Sequence, residues 1–181
     1  MTAHRLACLL TVLTVGISAG CGSGAGPADT QTGPTSSTFG VFSARVVLKG
    51  EMKVTGTFTD TLTARHETCD AYANGEVPAT TLFVVPTPND ATNVNGHTVM
   101  YTAGVPINSS RNGYHGPGTY TGTSALVSVL IIDNASYLPG DNAAAVITVS
   151  KDGSGSLTFT GLLDVATNAA ETGTVAWSCT G

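Results

Sequence analysis

Between residues 46 and 180 no stretch repeats its apolar side chains every 3.6 positions. What repeats is alternation at period two, broken every few residues by Gly, Asn, Asp or Pro. A helix scatters such a pattern around its axis, whereas a pleated strand turns alternate residues to one face. In Lys53-Val54-Thr55-Gly56-Thr57-Phe58, Val54 and Phe58 share a face and the threonines take the other. The pattern predicts strands over 46–49 and 52–59 around a Lys49-Gly50-Glu51 turn. Further strands are predicted over 62–69, 80–85 (ended by Pro86), 97–103, 119–132, 144–150, 156–163 and 173–180. Within the long segment, 126–132 (LVSVLII) is apolar enough to be central. Lys151-Asp152-Gly153-Ser154-Gly155 reads as a hairpin, because Asp-Gly supplies the positive φ that a tight turn needs. Many short strands with turn residues between them imply an all-β fold, an antiparallel β-sandwich with a small β-barrel as the alternative. A helical turn is expected only at 166–171.

The N-terminus has a different grammar. His4 and Arg5 are followed by an apolar run over residues 6–17 and then by the small residues Ser18, Ala19 and Gly20. This is the layout of a secretory signal. Twelve apolar residues are too few for a bilayer, whose core takes about 20 residues of helix. The motif Ser18-Ala19-Gly20-Cys21 resembles the lipobox of bacterial lipoproteins, with Ser18 at a position where that family prefers Leu. The resemblance implies that Cys21 receives a diacylglycerol and becomes the first residue after cleavage. It also implies a cell-membrane address, lipid-anchored on the extracytoplasmic face. Residues 22–38 (GSGAGPADTQTGPTSST) have almost nothing apolar to bury and read as a flexible tether. The expected organisation is a signal peptide over 1–20, a lipidated cysteine and tether over 21–38, and one β domain over 39–181.

Loss of Arg5 with the signal leaves six Lys+Arg against 12 Asp+Glu, a net charge near −6. No basic block remains to contact phosphates, which argues against a nucleic-acid partner. Of the 4 cysteines, Cys8 leaves with the signal and Cys21 is assigned to lipid. Cys69 and Cys179 are then an even pair in an oxidising compartment, and a disulfide joining the third strand to the last is expected. A metal or redox pair would call for CxxC spacing, which is absent. A second resemblance rests on residues 151–159 (KDGSGSLTF) and Val175-Ala176-Trp177-Ser178-Cys179. With the lipobox and tether, these are similar to small actinobacterial and mycobacterial surface lipoproteins. That resemblance implies an architecture and transfers no catalytic residue.

The mature chain holds His66, His97 and His115, far apart and without H-x-H or H-E-x-x-H spacing. There is no G-x-S-x-G elbow, P-loop or dinucleotide fingerprint. Asp133-Asn134 and Asp141-Asn142 offer oxygens that calcium takes, but their spacing fits no EF-hand and suits turns as well. No cofactor, metal or catalytic residue is therefore expected. The loop over 108–118 (NSSRNGYHGPG) gathers Arg111, Tyr114 and His115 among small residues, a set that suits recognition of an anionic or sugar-like ligand if the three point outward together. The function expected is a non-enzymatic binding or interaction domain, with an envelope protein, glycan or lipid as its ligand. The alternatives are a small secreted hydrolase or metalloenzyme, and a lipid carrier with an apolar cavity between its sheets.

Overall fold

Phe42, Ala44, Val46 and Leu48 alternate with Val41, Ser43, Arg45 and Val47, and in the folded chain the first set alone is buried. Each alternating segment repeats this division, so the strands share one inner face. The computed structural model describes residues 39–61, 68–76, 82–88, 93–107 and 113–181, which lie within one unit, Ser36–Gly181. The strands are β1 (Val41–Leu48), β2 (Thr55–Thr61), β3 (Leu82–Val84), β4 (Asn93–Val94), β5 (His97–Pro106), β6 (Gly118–Thr121), β7 (Leu126–Ile132), β8 (Ala135–Val149), β9 (Gly155–Asp164) and β10 (Ala170–Thr180). Helix α1 spans Cys69–Asn74, and a 3-10 turn covers Gly122–Ser124.

The pairings are antiparallel, in the order β2-β1-β10-β9-β8-β7-β5-β3, with β4 on β5 and β6 on β8. The fold is therefore all-β and antiparallel. Its strands belong to one curled sheet, which corresponds to the barrel-like architecture. Bulges set the curl. Along β8 and β9 the register passes from Pro139↔Leu162 to Ala144↔Thr160, so residues 140–143 loop out opposite Gly161. A second shift separates Thr102↔Val129 from Ala103↔Val127 on β5 and β7. Extra residues of this kind bend a strand and sharpen its twist.

The curl brings the two ends of the sheet towards each other. The Phe58 ring of β2 packs edge-on to Tyr101 of β5 at 6.5 Å. Gly56 of β2 stands so close to β4 that a Cβ there would lie 2.6 Å from Val94 Cγ1. Helix α1 closes the other end of the interior. Its Tyr72 ring sits 4.7 Å from Phe42 of β1 and 4.7 Å from Phe83 of β3. Burying rings of this size contributes about 1.5–3 kcal/mol each. Phe42, Tyr72, Phe83, Leu130, Tyr137, Leu157 and Trp177 thus belong to one core.

Three expectations change. Cys69 does not end a strand: it opens α1, whose N-cap Thr68 accepts from the Ala71 N–H at 3.2 Å. Residues 62–67 lie outside the described residues. The bridge Cys69–Cys179 is formed, with Cα atoms 5.8 Å apart, and it ties α1 to β10. The single strand expected over 119–132 is divided, because Gly122–Ser124 leaves the sheet between β6 and β7. Residues 166–171 hold a tight turn and the start of β10 in place of a helical turn. The Asp164 carboxylate caps the turn, accepting from the N–H groups of Ala166 and Thr167 at 2.7 Å each; Asn168 closes it with an N–H bond to the Asp164 carbonyl at 2.9 Å and then, at φ 59°, ends it.

Candidate functional site

Of the expected recognition trio, Tyr114 faces inward and His115 is exposed. Arg111 lies outside the described residues, as do Cys21 and His66. Tyr114 is turned into the core. Its ring stacks on Phe83 at 3.8 Å and 5°, and its hydroxyl donates to the Ala73 carbonyl of α1. Burial pushes its pKa well above the usual phenol value, and the neighbouring Tyr120 adds to the shift. The reason is steric: the flat ring fills the space between Phe83 and Tyr120 beside α1. His115 is exposed, and its N–H donates to the Tyr120 hydroxyl at 3.2 Å.

Two polar groupings occupy the far end of the sheet. In the first, Asp133 and Asn134 form the β7–β8 turn. The Asp133 carboxylate pairs with His97 Nδ1 at 3.0 Å and accepts from Thr98 N–H at 2.9 Å. The His97 hydrogen bond, then that from Thr98, hold its carboxyl below the usual range. In the second, Glu171 is fully buried and accepts from the N–H groups of Gly50 at 2.7 Å and Met52 at 3.0 Å. Tyr137 donates to Glu51 at 3.3 Å, and burial followed by the Glu51 charge pushes its pKa up to about 12. These carboxylates are held by the protein's own donors. Among the described residues no group of three His, Cys, Asp or Glu side chains could hold a metal ion.

The remaining feature is the outer face of the sheet, which is divided in two. Over β2, β10 and β9 it presents mainly Thr57, Thr59, Thr174, Ser178, Thr158 and Thr160, the usual solvated surface of an antiparallel sheet, while Val41 of β1, between β2 and β10, is 39% exposed. Over β5, β7 and β8 it presents the apolar Met100, Val129, Ile131, Leu138 and Val146 together with Thr102, Ser128 and Thr148. Register places Met100 opposite Ile131 and Leu138 opposite Leu163. Met100 is 42% exposed, Leu138 46%, and Val165 in the β9–β10 turn 63%. Contiguous apolar surface of this kind marks an interaction site more often than scattered single residues do.

Two hollows open on this half. One, of about 290 Å³, lies among Pro88, Met100, Thr102, Val129 and Ile131. The other, of about 380 Å³, lies where β7 parts from β8. Ladder pairs join Leu130 to Tyr137 at one end and Thr121 of β6 to Val146 at the other; none is found between them among the described residues. The sequence did carry a signal here. The run LVSVLII is apolar in both phases, and a strand apolar on both faces is either covered on both or offers one to a partner.

No family model, curated protein or solved structure matches the chain.

Proposed function

We propose that this chain is a lipid-anchored, extracytoplasmic binding domain that engages an apolar partner through the outer face of β5, β7 and β8. The observation that carries the reading is that one sheet face is mostly threonine on one side and carries a cluster of apolar side chains on the other. Ordinary solvation explains the first and leaves the second without a cover. The lipobox resemblance at Cys21 and the tether behind it support the address. The absence of a catalytic motif in the sequence supports binding over chemistry. Burial of Tyr114 takes one residue from the set on which a sugar-like ligand was argued.

The test uses an apolar fluorescent dye, anilinonaphthalene sulfonate, on the folded full-length chain. The wild type should bind it, and the variant Met100→Ser/Leu138→Ser/Val165→Ser should lose most of the signal while unfolding at the same temperature. Equal dye binding by the two folded proteins would remove the apolar half from consideration.

A further inference from the structure

The hollow between β7 and β8 differs from an ordinary surface groove in what forms its floor. Val127, Ala145 and Leu162 line it, and all three are buried residues whose side chains belong to the core. It is therefore a socket whose floor is the core itself. Two excursions frame it, the 3-10 turn Gly122–Ser124 on one side and residues 140–143 on the other. Small side chains keep it open: Gly122 and Ala143, Ala144 and Ala145 stand where larger residues would fill the space. Leu126, 38% exposed, forms the rim.

We propose that this socket takes one alkyl chain of a membrane lipid. Charge complementarity selects the class. Among the lining residues no side chain is charged, so the socket offers a phosphate, sugar acid or charged peptide nothing to pair with. A volume of about 380 Å³ lies near the lower end of the range for small-ligand pockets, which suits one slender chain better than a whole two-chain lipid. The source follows from the chain outside the described residues, and here the inference rests on the proposed lipid anchor. Read from the sequence as a flexible tether, residues 22–38 would span a root-mean-square distance of about 20–25 Å. The tether enters at Phe39, at the end of the sheet that holds Val41 and Thr180. Leu162 lies seven residues along β9 from Gly155, which sits at that same end, and a strand rises about 3.4 Å per residue. The socket is therefore about as far from the tether's root as the tether is long, so the anchored domain can lean its apolar half onto the bilayer.

The test places the full-length lipidated chain in phosphatidylcholine vesicles whose acyl chains carry a photoactivatable diazirine, and maps the adducts by mass spectrometry. Adducts are expected on the peptide containing Leu126 or on that containing Ala144. Ala144→Trp plugs the socket and Leu126→Glu brings a charge to its rim. Each should lower those adducts about tenfold, the effect of losing about 1.4 kcal/mol of binding. The thermal transition of each variant checks its fold. Adducts spread evenly over the surface, or undiminished in both folded variants, would overturn the proposal. So would socket labelling by a diazirine fatty acid in solution with none from vesicles, since the ligand would then not be a membrane lipid. An empty socket would leave the dye-binding result for Met100, Leu138 and Val165 untouched, so the two readings fail separately.

Discussion

The indole Nε1 of Trp177 donates to the Gly153 carbonyl at 2.9 Å, joining the last strand to the β8–β9 hairpin. The contact explains why two segments distant in sequence fold as one corner. Gly153 has φ +78°, and a Cβ on it would lie 2.8 Å from the Cys69 carbonyl oxygen and 3.3 Å from Cys179 Cβ. The turn is thus pressed against the disulfide. Gly153→Ala should cost about 1–2 kcal/mol for the left-handed backbone alone, and more for the contact. Gly96, at φ +91°, has nothing within 4 Å of its Cβ position, so Gly96→Ala should cost only the backbone part. Urea unfolding of the two variants gives the comparison, and equal losses would contradict it.

Reducing Cys69–Cys179 opens a loop with a sequence separation of 110. The loss should be roughly 2–5 kcal/mol, a fall in Tm on the order of 10 °C. Scanning calorimetry with and without reductant measures it, with Cys69→Ala/Cys179→Ala as the matching variant.

Glu171 is the buried clamp of the β1–β2 turn. Truncation to Ala strands the Gly50 and Met52 N–H groups, so Glu171→Ala should cost about 2–4 kcal/mol by urea unfolding. A change below about 0.5 kcal/mol, the range of ordinary surface substitutions, would show that water replaces the carboxylate without loss.

Tyr101, Tyr114 and Tyr137 all have raised pKa values, with burial as the largest cause in each. A folded pKa above the unfolded one gives a contribution that is complete below about pH 10 and declines as pH rises towards the folded value. Stability should therefore hold up to about pH 10 and then fall by about 1.4 kcal/mol per pH unit for each such tyrosine. Tyrosinate absorbance should rise together with loss of β signal in circular dichroism. Full ionisation of these tyrosines in a still-folded protein would contradict their placement.

The corner around Gly153 was legible because its signals are local: Asp-Gly fixes the turn, and alternation fixes the facing of Leu157, Phe159, Val175 and Trp177. The cysteine pairing was legible by counting. Helix α1 was not, since six residues are too few to show a period, and the bond from the Ala71 N–H to the Thr68 hydroxyl acts through geometry that composition does not display. Tyr114 misled for a related reason. Its partners Phe83 and Ala73 lie 31 and 41 residues away, and nothing near it in sequence marks it as buried. The apolar outer face was half legible: LVSVLII showed a strand apolar in both phases, but which phase met solvent depended on the register with β5 and β8.

The central claim is that the two halves of one sheet face behave differently in the envelope. A photo-crosslinking amino acid at Leu138, on the apolar half, is compared with one at Thr158, on the threonine half. Both positions are exposed on the outer face of neighbouring strands. In cells expressing the full-length chain, position 138 should give a discrete adduct and position 158 none. Equal adducts from the two positions, or none from 138, would contradict the account.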